Sequence, residues 1–193
     1  LPIYFFVKIK DLNRILLNKT NMNPYVAIVN QKISLCKILL SEGISKNKLL
    51  EKKTDAQLEL AFMQSVIYQL ESAYINYLKE IAFAHKCKDI ESVDSLKKLK
   101  VGLSSANKSM AESQEIELLL GEQQSWLSQL LSEHKKISLP PLTISKKNND
   151  HSISLLEVKQ LDDTMFLSFT DMEFWVKNFT EILDRNRQLM YEC

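Results

Sequence analysis

The sequence is poor in glycine, and this shortage excludes several classes of protein. Its 193 residues include three glycines, Gly43, Gly102 and Gly121, against the roughly 7% that is usual in globular proteins. Phosphate-binding loops, dinucleotide folds and tight-turn β architectures need glycine where the backbone takes a positive φ. None of those motifs can be assembled from this sequence.

The cysteines and the net charge also give no sign of a disulfide framework or of a nucleic-acid-binding surface. Cys36, Cys87 and Cys193 make neither an even-numbered disulfide framework nor a C-x-x-C pair, so a reducing cytoplasm is the simplest expectation. The net charge is +1, which leaves no bulk basic field, so no binding to nucleic acid is predicted. No transmembrane segment is expected either, because spanning a bilayer takes about 20 consecutive apolar residues.

The first 21 residues differ from the rest of the chain. They carry four basic residues against Asp11 alone, which leaves a net charge of −2 for residues 22–193. Two interpretations stand open: an amphipathic arm that packs on the domain or on a membrane, or translated sequence upstream of a natural start at Met22. The second is favoured because Asn23 and Pro24 suit the N-cap and first position of a helix. We therefore predict a non-core extension over 1–21 and one helical-bundle domain over 22–193.

The chain is organised around the stretch from Ala56 to Ala84, which contains neither glycine nor proline. Its large apolar residues recur at alternating steps of three and four, which is the period of one helix face. A second apolar row, Phe62, Val66 and Ala73, lies beside the first and widens the buried arc. The pattern predicts the central helix of an all-α domain, with neighbours on two sides.

One further helix is predicted before this stretch and one after it. The first runs from Pro24 to about Glu42, and Gly43 is well placed to end it in the left-handed conformation. The second is a shorter helix from Ser92 to about Val101, followed by a loop that contains Gly102. Both predictions place glycine at a helix end.

The remaining helices follow in the C-terminal half. The stretch Ser109–His134 is helical in period, but Gly121 inside it favours either a kink or a break into two helices. The last helix is predicted to begin at Thr170, with Thr170 and Glu173 forming a capping box, and to bury Phe174. We therefore predict an antiparallel helical bundle of four main helices plus a shorter fifth.

Polar residues near the end of the central helix are candidates for a metal site or a catalytic group. A di-iron site in a helical bundle needs Glu-x-x-His pairs, and His85 follows Glu80 by five positions, so no metal and no cofactor are predicted. Glu80 is expected to pair with a basic side chain of a neighbouring helix. Cys87 lies between Lys86 and Lys88, which favour a thiolate, but no orienting base completes a nucleophilic site, so a free surface thiol is expected.

Aromatic residues provide the other candidates. Tyr74, Tyr77 and Trp126 could line a pocket, although aromatic side chains at helical spacing more often belong to a core or an interface. Tyr68 falls on the more polar side of the central helix and is a candidate for an exposed contact. The full set of candidate interaction or pocket residues is Tyr68, Tyr74, Tyr77, Glu80, His85, Cys87 and Trp126.

Several short elements resemble those of one family. They are Asn23-Pro24-Tyr25, Asn30-Gln31-Lys32, Glu80-Ile81-Ala82, Ser125-Trp126-Leu127 and Leu130-Leu131. They are similar to an uncharacterised family of short bacterial all-helical proteins, a domain of unknown function. The resemblance covers about Met22 to Cys193 and supports Met22 as the start. It implies a helical fold and a bacterial origin, and it implies no activity.

Three hypotheses about function remain, and none assigns a catalytic residue. The leading one is a non-enzymatic cytoplasmic protein that acts through protein–protein interaction or regulation, with a protein partner or as a homodimer. It depends on the lack of a phosphate loop, a metal ligand set, a catalytic triad and a basic field. The second is a small-molecule or lipid-binding helical module that uses the aromatic candidates. The third is an enzyme that uses Glu80, His85 or Cys87.

Overall fold

The computed structural model of the chain describes residues 23–49, 56–108, 111–139 and 167–192. Every regular element in these ranges is an α-helix, as the apolar periodicity predicts. The six helices are α1 (Pro24–Leu49), α2 (Ala56–Ala84), α3 (Leu96–Ser105), α4 (Ala111–Gly121), α5 (Trp126–Ser138) and α6 (Phe169–Glu192). Within the described part of the chain, no helix has the length and apolarity needed to cross a membrane.

The second helix, α2, lies at the centre of the structure. Its bounds match those that the sequence predicts, and buried residues follow it from Met63 to Ala82. It contacts α1, α3, α5 and α6. The two apolar rows are explained by these neighbours, since a helix packed on several sides needs a wide apolar face.

The first helix packs along α2 in the opposite direction. At its start, the side-chain amide of Asn23 donates to the carbonyl oxygen of Glu80 at 2.9 Å. Near its middle, the thiol of Cys36 contacts the carbonyl oxygen of Val66 at 3.8 Å. Positions on α2 therefore fall as those on α1 rise, so the two helices are antiparallel. Cys36 is fully buried, as expected of a small core residue.

The prediction that Gly43 ends the first helix is wrong. The helix continues to Leu49, and Gly43 does not have a positive φ. A Cβ at this buried position would lie 2.7 Å from ring carbons of Phe169 and 3.3 Å from the Cβ of Phe62. Glycine is needed here because three helices approach closely, rather than because the chain turns.

The third helix begins and ends later than predicted. It spans Leu96–Ser105 instead of Ser92 to about Val101, and Ser95 is its N-cap. Gly102, expected in a loop, therefore lies inside the helix. A Cβ at Gly102 would lie 3.5 Å from the sulfur of Cys87, which is an ordinary van der Waals distance, so the approach is less close than at Gly43.

The stretch that contains Gly121 is broken into two helices, which was one of the two predicted outcomes. The fourth helix ends at Gly121 and the fifth begins at Trp126. Between them, the hydroxyl of Ser125 accepts the backbone N–H of Ser128 at 3.1 Å and donates to the carbonyl oxygen of Leu119. This single side chain caps α5 and ties it to α4.

The last helix is capped two residues earlier than predicted. The expected box of Thr170 and Glu173 is replaced by Ser168 and Asp171. The backbone N–H and hydroxyl of Ser168 donate to the Asp171 carboxylate at 2.8 and 2.7 Å, and the N–H of Asp171 donates back at 3.2 Å. The prediction that Phe174 is buried is also wrong, since this side chain is 57% exposed.

Candidate functional site

The C-terminal end of α2 is occupied by a buried ion pair. Glu80 is 1% exposed, and Arg187 of α6 donates to both its carboxylate oxygens, at 2.7 Å from Nε and 2.8 Å from Nη2. The remaining guanidinium nitrogen donates to the side-chain oxygen of Asn30 on α1 at 2.8 Å. The expectation that Glu80 pairs with a basic side chain of a neighbouring helix is confirmed. The pair joins three helices, which is a structural role.

A second polar contact lies one turn away. The side-chain amide of Asn186 donates to the hydroxyl of Tyr77 at 2.8 Å, and both residues are buried. The ring of Phe179 meets Tyr77 edge-on with 5.9 Å between centroids, and it lies 5.6 Å from the ring of Trp126. Tyr77 and Trp126 therefore pack around the same ring of α6. Both side chains contribute to the core at this point.

The prediction that Cys87 is a surface thiol is wrong. Its side chain is 6% exposed and packs against Gly102. Burial raises the pKa of the Cys87 thiol, so the thiolate is disfavoured although Lys86 and Lys88 flank it. Those two lysines are exposed, and they point to a different role from activation of the thiol.

The other sequence candidates lie apart from one another. Tyr68 is 43% exposed, as expected, and its ring meets that of His134 on α5 edge-on at 5.0 Å. Tyr74 is buried, and burial raises the pKa of its hydroxyl. His85 is half-buried in the turn after α2. The structure thus brings together Tyr77 and Trp126 but does not assemble the seven candidates into one site.

The described ranges also lack any group of three or more histidine, cysteine, aspartate or glutamate side chains that could hold a metal ion. The buried carboxylate of the central helix, Glu80, is paired with Arg187. This acidic group therefore joins helices.

The outer face of α3 brings exposed groups together in a way that the core does not. Lys97, Val101 and Ser105 follow one another at intervals of four residues, so they form a row along one face of the helix. All three are exposed, and Val101 is 63% exposed. The same three residues line a depression on each side of the helix. We call this row of three residues the α3 ridge.

On one side of the α3 ridge lies a shallow groove shared with α4. Lys100 pairs there with Glu117 of α4 at 2.7 Å, which links the two helices across the groove. The next residue, Leu118, is 75% exposed and is the most exposed large apolar side chain in the described ranges. Val101 of α3 lines the groove, and Leu118 of α4 is the next residue after the one that lines it.

On the other side of the ridge lies a pocket rich in lysine. Lys86 and Lys88, from the segment after α2, line it together with Lys97 and Lys98 of α3. We call these four residues the lysine pocket. The cavity measures about 660 Å³.

The sequence contains a signal for this pocket, but only in part. The lysines belong to two short runs, HKCK and KKLK, that are separated along the chain. Taken alone, Lys86 and Lys88 indicate only an effect on the thiol between them. Their meeting with Lys97 and Lys98 depends on the reversal of the chain between α2 and α3, which periodicity does not predict.

Comparison with known proteins gives a family match. The model of a family described as a family of unknown function (DUF6586) matches residues 22–193. No curated protein and no solved structure shows significant similarity to the chain. The expected resemblance to a family of unknown function is confirmed, and the matched range contains all six helices of the described ranges.

Proposed function

Because this chain belongs to the DUF6586 family, whose function is unknown, we propose a function from its own surface. The protein acts without catalysis, by binding another protein through the α3 ridge and the groove beside it. One observation carries the proposal. The two most exposed large apolar side chains of the described ranges, at 63% and 75%, are Val101, which lines this groove, and Leu118, which directly follows a residue that lines it.

Val101 lines the groove, and Leu118 directly follows Glu117, which also lines it. Their preceding residues, Lys100 and Glu117, form an ion pair across α3 and α4 at 2.7 Å. Apolar residues scattered singly on a surface are ordinary, whereas a cluster with a polar rim is typical of an interaction site. Covering such a cluster gains roughly 25 cal/mol for each Å² of apolar surface removed from water.

The other two hypotheses receive less support from the residues on which they depend. Tyr77 and Trp126, offered as pocket lining, pack around Phe179 in the core. Of the candidates for an enzyme, Glu80 is held by an arginine and Cys87 is buried with a raised pKa. A binding surface made of exposed side chains needs none of these groups.

The proposal includes the finer features expected from the sequence. The antiparallel part of the expected bundle is supported for α1 and α6, since Phe169 of α6 lies against Gly43 and its Arg187 bonds to Asn30. These contacts run against the direction of α1. A cytoplasmic location is supported by the two buried free cysteines, which suit a reducing compartment.

A photo-crosslinking experiment tests the proposal. The photoreactive residue p-benzoylphenylalanine is placed at Val101 or at Leu118 of the full chain in its own host cells. The matched control places it at Ile38, which is 56% exposed on α1. We expect a discrete crosslinked product from the first two positions and none from the control.

The crosslinked products decide the outcome of this experiment. A crosslink that is absent at both ridge-side positions, or equally strong from Ile38, contradicts the proposal. A product with the mass of two copies of the chain identifies the partner as a second copy. A product of another mass identifies a different protein, and Val101→Glu introduced into the Leu118 crosslinking chain should then abolish it.

A further inference from the structure

The four lysines of the lysine pocket come from two segments of the chain. Lys86 and Lys88 come from the segment after α2, and Lys97 and Lys98 from the first turns of α3. Between them the lining is small or apolar, with three serines beside Val93, Gly102 and Ala106. A cavity of about 660 Å³ falls in the range of 300–1,000 Å³ that is usual for ligand sites. Cationic groups therefore surround a small apolar floor.

Positive charge is in excess at this pocket. Lys98 pairs with Asp94, and Asp89 is the one carboxylate in the lining. Within the described ranges, Lys86, Lys88 and Lys97 have no ion-pair partner. Positions 85–108 hold six lysines against three carboxylates, although the whole chain has a net charge of +1. The complementary ligand is anionic, because complementary potentials steer association and set specificity.

The composition of the pocket also decides among anions. Neither arginine nor an aromatic side chain lines it, so it lacks the bidentate guanidinium that favours phosphate and the stacking surface that favours nucleic acid bases. Lysines act as point charges on flexible stems, so their ammonium groups can pair with carboxylates at varied spacing. The apolar floor would stay uncovered beneath a bare inorganic anion but not beneath an apolar side chain.

We propose that the lysine pocket holds an acidic segment of the partner protein, with one apolar side chain on the floor and flanking carboxylates against the lysines. This inference rests on the proposed function, since the pocket shares Lys97, Val101 and Ser105 with the α3 ridge. The ridge and the pocket would then contact adjacent parts of the same partner.

Fluorescence polarisation with synthetic peptides tests the inference on the full chain. The probe is a labelled peptide of alternating aspartate and glutamate around one central leucine. Two matched peptides replace either the leucine by serine or every acidic residue by lysine. We expect the first probe to bind at least about tenfold more tightly than either control. Its affinity should fall when the salt concentration is raised, because exposed charges are screened.

Charge-reversal variants locate the binding. Lys88→Glu combined with Lys97→Glu should weaken binding of the acidic probe at least about tenfold. The control combines Lys37→Glu with Lys135→Glu, two exposed lysines outside the pocket, and changes net charge equally. We expect little effect from it. Unaltered far-UV circular dichroism shows that both variants are folded.

Three outcomes would overturn the inference. Equal weakening by both double variants would mean nonspecific attraction. Stronger pocket-dependent binding of pyrophosphate, a single-stranded oligonucleotide or phosphatidylserine vesicles would mean recognition of phosphate. An acidic probe that fails to bind, while crosslinks from Val101 and Leu118 persist, would refute the acidic segment and leave the proposed function standing. Loss of those crosslinks alone would instead refute the proposed function.

Discussion

Removing the side chain of Arg187 tests how strongly the ion pair holds three helices together. Arg187→Ala deletes both contacts with Glu80 and the contact with Asn30. The Glu80 carboxylate, 1% exposed, is left without its cation. Breaking a buried pair from one side costs about 3–5 kcal/mol, because the remaining charge is poorly solvated. The Arg187 side chain is 14% exposed, so we expect the free energy of unfolding to fall by about 3 kcal/mol, at the lower end of this range.

The cause of that loss can be separated from lost packing. If the unpaired charge is responsible, adding Glu80→Gln to Arg187→Ala should recover at least about 1 kcal/mol.

Urea unfolding followed by far-UV circular dichroism measures both effects. The control is Arg185→Ala, which removes an ion pair with Glu115 whose side chains are 54% and 31% exposed. Exposed pairs contribute at most about 1 kcal/mol, so the control should lose no more than that. The reasoning is refuted if Arg187→Ala loses as little as the control, or if Glu80→Gln deepens the loss.

Three further predictions follow from contacts at helix ends and close approaches. Gly43→Ala should lower the melting temperature, with a cost of about 1–3 kcal/mol from overpacking against Phe169, whereas Gly121→Ala, with nothing within 4 Å of its Cβ position, should not; equal shifts in thermal unfolding would contradict this. In a Cys193→Ser background, Cys36 and Cys87 should react with a thiol reagent only after unfolding, because burial raises the pKa of both thiols; rapid labelling of the native chain would disprove it. Ser125→Ala should cost about 1 kcal/mol by removing the cap of α5 and should be measured by urea unfolding, with exposed Ser132→Ala as a neutral control; indistinguishable midpoints would count against the cap.

The sequence predicts α2 to the residue because every local signal there agrees. From Ala56 to Ala84 the apolar period is regular and no glycine or proline interrupts it. The sequence does not show whether Gly43 and Gly102 end a helix or lie inside one, because glycine has two uses that look alike in sequence. It ends helices through positive φ, and it also permits close approach inside them. For Gly43, only the position of Phe169 shows which use applies.

The polar contacts could be predicted only in kind. The position of Glu80 on the central helix predicts a basic partner, but nothing local identifies Arg187, which is 107 positions away. The burial of Cys87 depends in the same way on its contact with Gly102. Local signals specify the elements of this fold, whereas the pairs that join them depend on how those elements pack.

The two charged clusters differ in a way that separates folding from binding. Glu80 and Arg187 satisfy each other inside the fold, so changing either must change stability. The lysines of the pocket are solvated in the free protein, so replacing them costs the fold little. The ridge likewise stands on α3, a helix of ten residues that packs mainly on α2 and α4 through buried Leu96, Leu99 and Leu103. Val101→Glu should therefore leave the free energy of unfolding within about 0.5 kcal/mol, and a larger loss would mean that the ridge serves the core instead of a partner.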